Sequence, residues 1–584
     1  MRPGLLLLAL LAPLATAQYV PYTPTPEWTA VGDGTGQSWG HDVTSTGYDG
    51  RVTVIGAFEG PVQFGGSALA TDGSGRDVFV VQYDTDGVPL WVRQIATAGR
   101  DVLPGGIASN NEDGIFVSGT FDGSAHFQGG ESPDTTIASR GGRDAFLARY
   151  SADGDLVWAQ TMGGPGDDRG YRVTADYDGV HVVGSFEATA LWGLESITWV
   201  VTSAGGSDGF LARLTPEGRV ESVLGFGGPG NDTAEGVDTN GGREVAVAGS
   251  FEDTAAFADT TFTSRGGSDA YALYLDEDGS LVDAIHVGGP GADFGRGVGV
   301  PYHFGDLGAL ILTGAFENTV QVENRTLVSA GGADVFIIGQ SYYGRPRQAH
   351  VEAIRGGGPG HDEGLDLGFV EGFYGDIGAP SSVVTGVITG DVTFDWLGSD
   401  ERSLAGFGGR DGFVISTTSY GFHALAALGG TSDDAGFGVS SSALYGDFGH
   451  GNLTGTFVEE AAIGTATVMG TLRPSVFVAD FPEGELAPYS VAAEPSPFDD
   501  TSSLSVFPNP ARHAATARLD LDAPADVTVE VLDVLGRRQS TIHRGALAAG
   551  ETRLPVPLAG LAPGVYVVRV SGGAATARAF VVAR

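Results

Sequence analysis

The sequence predicts an all-β chain, a seven-bladed β-propeller followed by a small C-terminal Ig-like β-sandwich. Three observations lead there. Two landmarks recur seven times, apolar residues between them alternate with a period of two, and the pattern changes character after about residue 480. The first landmark is a Gly two residues before an apolar residue: Gly56, Gly119, Gly184, Gly249, Gly314, Gly386 and Gly455. Six residues past that apolar partner stands another: Phe64, Phe127, Trp192, Phe257, Val322, Phe394 and Ile463. The second landmark is Asp-x-Phe/Tyr at Asp77, Asp144, Asp208, Asp269, Asp334 and Asp411; the seventh copy reads Ser475-Val476-Phe477.

The elements of one unit follow from its periodicity. Val245, Val247, Gly249 and Phe251 lie on one face of an extended segment, as do Val52, Val54, Gly56 and Phe58. Asp86-Gly87, Asp153-Gly154, Glu217-Gly218 and Asp278-Gly279 each separate two apolar segments, and such pairs tolerate the positive φ of a tight hairpin. Each unit therefore reads as four short antiparallel strands. A lone blade would leave its apolar faces in water, and a ring of seven over residues 18–482 buries them. The fragment Glu27–Val31 matches the last strand of other units (Leu90-Trp91-Val92, Leu156-Val157-Trp158) and is expected to complete the seventh blade, removing a free edge. A rival for that place lies at Glu485–Val491.

The remaining segments are read in chain order. Residues 1–17 combine Arg2, an apolar run from Leu5 to Leu14 and the small-residue ending Ala15-Thr16-Ala17, the pattern of a secretory signal peptide cleaved before Gln18. No other apolar run reaches the length that spans a bilayer, so no transmembrane segment is expected. Cys is absent, so stability has to come from core burial and ring closure. All 31 basic residues are Arg against 72 acids, and the excess of acid lies upstream of residue 502. Such a surface repels nucleic acid and anionic lipid, and it reads as a solubilising shell. Residues 483–503 form a linker rich in Pro, Ser, Ala and acids. Residues 504–584 return to short alternating strands, among them Val527, Val529 and Val531, without helix signals.

Two resemblances rest on these residues. The units, with GG-x-D-x-F, a Trp-bearing strand, GGPGDD and V-x-G-x-F, resemble bacterial β-propeller repeats of the SBBP type over residues 27–480. The last segment is similar to the type A C-terminal sorting domain of the type IX secretion system. Phe507-Pro508-Asn509-Pro510, the strand and turn over Val529–Gly536, Gly564-Val565-Tyr566 and a basic, apolar ending carry that similarity. It implies export through the periplasm, recognition of residues 504–584 by the secretion machinery, and release or attachment at the outer-membrane surface.

Chemistry is sparse by comparison. The GGPG-x-D loops place Asp167, Asp168, Asp232, Asp293, Asp362 and Asp434 in turns. Calcium is the one ion these acids suit, yet each loop offers too few oxygens, and an Asp that bonds neighbouring backbone amides accounts for the pattern. No cofactor is expected. Eleven His are scattered, and no nucleophile elbow, zinc motif or phosphate loop appears. Function is expected where the template breaks. Three residues after the loop Asp, the units carry His41, Tyr171, Glu235, Arg296, Leu365 and Phe437, at the start of the strand placed innermost. Trp39, Trp199 and Trp396 have no counterparts in other units and would suit stacking on a sugar or anchoring a partner. The reading is a secreted or cell-surface propeller, non-enzymatic, binding an extracellular protein or glycan. A propeller hydrolase or lyase acting on polysaccharide and a purely structural surface component are the alternatives.

Overall fold

The computed structural model describes residues 26–481 and 504–582, except 47–49, 72–74, 99, 111–113, 194–198, 240–243, 258–259, 301–308, 323–324, 344–347, 371–380, 396–400, 419–420, 445–446, 464–465, 470–472, 508–514, 522–523, 534–536, 549, 559–560, 562–563 and 572–575. The signal peptide, the linker, the rival strand Glu485–Val491, Trp396 and Pro508-Asn509-Pro510 lie outside the described residues. Among the described residues there is no helix, as the period-two patterning predicts. The chain divides into two compact units, Val20–Ser490 and Val491–Arg584 with Met1–Tyr19.

In the first unit, strand pairing follows the sequence repeat. The third repeat is representative: Arg169–Ala175, Val180–Trp192, Trp199–Leu214 and Val220–Phe226 form one antiparallel sheet in that order. Seven such four-strand sets occur, and those of the first two repeats join in one eight-stranded sheet through Ile95–Thr97 and Ala125–Phe127. The first strands of the seven are Gln37–Thr46, Val102–Ser109, Arg169–Ala175, Thr233–Thr239, Phe294–Gly299, Glu363–Val370 and Ala435–Leu444. Each touches the first strand of the next repeat, and Ala435–Leu444 touches Gln37–Thr46.

The two landmarks turn out to be one contact. Gly56, Gly119, Gly184, Gly249, Gly314, Gly386 and Gly455 sit directly across the ladder from Phe79, Phe146, Phe210, Tyr271, Phe336, Phe413 and Phe477. At Gly184 a Cβ would lie 2.6 Å from Phe210 Cε1, so the ring lies on bare backbone and only Gly fits beneath it. The apolar residue six positions past the apolar partner lies in the same strand (Phe127, Trp192, Val322) or in the short strand that follows it (Phe64, Phe257, Phe394, Ile463). Phe64, Phe127, Trp192, Phe257, Phe394 and Ile463 are all buried, and the Trp192 ring centre lies 4.3 Å from that of Phe210, the two rings tilted by 51°.

The N-terminal strand occupies the place read for it from sequence. Trp28–Val31 pairs antiparallel with Phe477–Asp480, as the fourth strand beside Ser475–Phe481. Trp28 lies over Gly87 of the next hairpin turn, as Trp91 lies over Gly154 and Trp158 over Gly218. A positive φ at each of these turn glycines, between 75° and 87°, leaves no side chain between turn and indole.

In the second unit, Leu504–Phe507, Ala515–Leu521 and Gly550–Val556 form one antiparallel sheet. Arg538–Leu547, Ala525–Asp533, Gly564–Ser571 and Thr576–Val582 form another. Ala515, Ala517 and Leu519 share a core with Val527, Val529, Val531, Tyr566, Val568 and Val570. Gly564 and Val565 lie in the strand that carries Tyr566.

Candidate functional site

All seven first strands break their ladder in the same way. One residue in each has no partner on the neighbouring strand, a β-bulge, and these residues are His41, Gly105, Tyr171, Glu235, Arg296, Leu365 and Phe437. A bulge re-aims its side chain and bends the strand. The variable position expected from sequence is therefore the bulge itself, with Gly105 as its member in the second repeat. The next residue is Asp42, Gly106, Arg172, Gly236, Gly297, Asp366 or Gly438. Of these, Asp42, Arg172, Gly236, Gly297 and Asp366 line a cavity of about 220 Å³ together with Thr44, Ser109 and Asp238. Residues from all seven first strands contribute to its wall. Where the template holds Gly, the neighbouring strand comes close: a Cβ at Gly438 would lie 2.7 Å from Asp42 Cα.

Charge crosses this cavity. Arg172 donates to Asp366 at 2.6 Å and to Asp42 at 3.4 Å. Both carboxylates are buried, and both are also used as ties between strands. Asp42 accepts from Val43 N and Ile107 N at 2.9 Å. Asp366 accepts from Leu367 N at 2.8 Å and Val439 N at 2.9 Å, and Asp238 accepts from Val300 N at 2.9 Å. Burial raises the pKa of Asp42 and lifts Asp366 and Asp238 to about 6, against the pull of Arg172 on the first two and of the backbone amides. Raised carboxylates in a cavity are the mark of an acid–base pair. Here, however, both oxygens of Asp42 and of Asp366 are engaged by amides and Arg172, so they are poorly disposed to face a substrate.

Immediately before Asp42, Gly236 and Gly297 stand the bulge residues His41, Glu235 and Arg296, each with a side-chain hydrogen bond. His41 Nε2 lies 3.1 Å from Gly105 O, and burial, then Arg172, lowers its pKa to about 4, so the ring is neutral at physiological pH. Arg296 bonds Glu235 and, at 2.6 Å, Glu363, and its guanidinium lies 5.2 Å from the Phe294 ring centre. Tyr171 is half-buried, as is Trp39, which lies 5.9 Å under Arg76. Trp199 is elsewhere: it pairs with Trp192 at the far end of the hairpin, eight residues along the strand from Gly184, and is 38% exposed.

The loop aspartates cap their own turns. Asp168, Asp232, Asp293, Asp362 and Asp434 are buried, and each accepts from the amide four residues earlier: Gly164, Gly228, Gly289, Gly358 or Gly430, at 2.5–2.9 Å. Asp167 accepts from Arg143 N at 3.0 Å. Among the described residues no group of three or more His, Cys, Asp or Glu converges as a metal site.

Asp42, Arg172, Asp238 and Asp366 were not singled out from sequence. Counting three residues from the loop Asp stops at the bulge, and the cavity-lining residue is one further on. For Asp42, Arg172 and Asp366 the available signal was a charged residue standing where the four other repeats carry Gly; Asp238 lies two residues past that position.

Residues 505–583 match the family described as secretion system C-terminal sorting domain. This tail supports export by a type IX route, interaction with that machinery and a secreted or surface-attached destination. Among curated proteins, none matches the chain. Among the described residues no helix is long and apolar enough to cross a membrane.

Proposed function

We propose that this chain is an exported seven-bladed β-propeller of SBBP type that binds an extracellular protein or polysaccharide through one mouth of its axial channel. The blade reading is supported by the contact of each first strand with the next and of the last with the first, and by Trp28 repeating the roles of Trp91 and Trp158. The observation that carries the binding reading is a contrast in the first strands. Scaffold positions repeat from unit to unit, whereas the bulge positions hold seven different residues beside a cavity walled by all seven strands. Different side chains around one rim make a surface that distinguishes ligands, which a structural requirement repeated per blade would not produce. Tyr171, Glu235 and Arg296 are the rim residues expected to touch ligand, with His41 and Trp39 behind them. The exposed indole of Trp199 is a separate contact on the outer hairpin.

A signal peptide at 1–17 takes the chain to the periplasm and residues 504–584 take it across the outer membrane. The test is a glycan array and a surface-protein capture with the full mature chain, alongside a sugar-release assay. Binding lost in Y171A and E235A but retained in W199A supports the rim. Release of sugar would favour the enzyme instead, and absence of both binding and turnover would leave a structural component.

A further inference from the structure

The junctions between consecutive repeats hold pairs of buried aspartates. One comes from the Asp-x-Phe/Tyr landmark and the other from the loop that leads into the next repeat: Asp144 with Asp168, Asp208 with Asp232, Asp269 with Asp293, Asp334 with Asp362, and Asp411 with Asp434. All ten are buried. A Cβ at Gly163 would lie within 3.0 Å of both Asp144 Oδ1 and Asp168 Oδ2, and Gly227 and Gly429 stand in the same relation to their pairs. At these three junctions the two carboxylates converge on a glycine because no side chain intervenes; at the Asp334–Asp362 junction, Asp334 lies against Gly357 and the charge of Asp362 acts on it.

Donors are distributed unevenly. The loop Asp has both oxygens occupied: Asp168 accepts from Gly164 N at 2.6 Å and Glu187 N at 3.2 Å, and Asp434 from Gly430 N at 2.5 Å and Val458 N at 2.9 Å. The landmark Asp has one oxygen occupied: Asp144 Oδ2 accepts from Arg140 N at 2.5 Å, Asp208 Oδ2 from Ala204 N at 2.7 Å, Asp334 Oδ2 from Ala330 N at 2.8 Å and Asp411 Oδ2 from Phe407 N at 2.7 Å. The other oxygen, Oδ1 of Asp144, Asp208, Asp334 and Asp411, is buried without any partner. A buried acceptor with no donor is costly, and four copies in register are not accidental.

We propose that each of these four junctions holds one shared proton, carried on the landmark Asp Oδ1 and donated to the facing loop carboxylate. One donor is missing per pair, and one proton supplies it. A calcium ion is a poorer fit, because it needs six to eight oxygens and the neighbouring carbonyls are taken. Gly163 O accepts from Leu191 N at 3.0 Å, and Gly227 O and Gly429 O accept from Ala256 N and Ala462 N at 2.8 Å. The fifth junction supplies its donor differently: His286 Nε2 lies 2.7 Å from Asp269 Oδ2. Asp77 of the first repeat has no loop Asp opposite and takes Gln94 Nε2 at 2.7 Å. Where a side-chain donor is present, no oxygen is left over.

Two like charges in a dry site cannot both persist, and the raised pKa values agree. Burial lifts Asp168 and Asp232 to about 7 and Asp144, Asp334 and Asp434 to about 6, and raises Asp208, Asp362 and Asp411. The charged groups facing the pairs are Arg140 and Asp167 at Asp144, Glu187 at Asp168, Glu252 at Asp232, Arg355 at Asp334, His361 at Asp362, and Asp433 at Asp411 and Asp434. Tyr271 stands near Asp232 as a neutral phenol. A folded-state pKa above the unfolded one means stability fully present below the unfolded carboxylate pKa of about 4 and lost progressively as pH rises from there through 6 to 7. The junctions would loosen together in mildly alkaline water.

The test compares the full chain with D144N/D208N/D334N/D411N, in which each Asn amide replaces the shared proton. Between pH 5 and 6 the wild-type unfolding constant should rise with pH about 10⁴-fold per unit more steeply than the variant's, corresponding to about four protons released on unfolding. Infrared spectra of the wild type at pH 6 should show the carbonyl stretch of protonated carboxyls, lost at pH 9 and weaker in the variant by about four carboxyls. The remainder comes from groups such as Asp238 and Asp366. The loss at pH 9 is a readout that stands even if the variant folds poorly. Equal pH dependence in both proteins, or a protonated-carboxyl band no stronger in the wild type than in the variant, would overturn the proposal. So would a chelator-reversible stabilisation of the wild type by calcium that the variant lacks, which would put a cation in the proton's place.

Discussion

Replacing Arg172 with Ala leaves Asp42 and Asp366 facing each other across the cavity with no cation between them. Arg172 reaches them at 3.4 and 2.6 Å, and both carboxylates are buried. A pair of unit charges 4 Å apart is worth about 4 kcal/mol at an effective dielectric of about 20, and much of that is offset by desolvation. Removing one partner of a buried pair nonetheless costs about 3–5 kcal/mol, because the charge left behind has nothing to answer it. Unfolding entropy of about 2.1 cal/mol/K per residue over the unit Val20–Ser490 gives about 1 kcal/mol per degree, so the melting point should fall by about 3–5 °C. The loss also has a sign in pH. Burial already raises Asp42 and Asp366, and without Arg172 they rise further, so R172A regains stability in acid as they take up protons and is weakest in alkali. Calorimetric melts at pH 5 and pH 8 read both effects. A difference from wild type below 1 °C at pH 8, or the same difference at both values, would refute the ion bridge as a structural tie.

Three further expectations follow from the fold. Deleting residues 18–34 strips Trp28–Val31 from Phe477–Asp480, which exposes a strand edge and should lower the melting point by many degrees with aggregation; an unchanged melt would remove the strand from the repeat. G184A drives a methyl into the Phe210 ring and should cost about 1–3 kcal/mol or more by denaturant titration, whereas G66A, with nothing within 4 Å, should be close to neutral. Y566A empties a buried site shared by Val529 and Val568 and should destabilise the C-terminal unit by about 3 kcal/mol, leaving the melt of Val20–Ser490 unmoved.

Much of the fold was legible because single-residue requirements repeat. Gly184 and Phe210 can each be picked out in the sequence, since one needs bare backbone and the other needs a surface to lie on. Their separation is constant because they are cross-strand partners. Trp28 was legible for the same reason, being a fourth strand found before its first. The carboxylates and guanidinium of the cavity were not. Asp42, Arg172 and Asp366 stand 130 and 194 residues apart in the chain, and no local pattern says that they meet.

The sequence by itself determined strand content, the repeat and an export tail, since these depend on periodicity, turn chemistry and motif, all properties of neighbours along the chain. Tertiary structure decided which residue of each first strand is extra and which residues line the cavity. A bulge shifts side-chain direction by one position, and only the pairing with the next strand fixes where it falls. It also decided that aspartates some 24 residues apart, such as Asp144 and Asp168, converge on one glycine, because the junction between two sheets, not the spacing in the chain, brings their oxygens together.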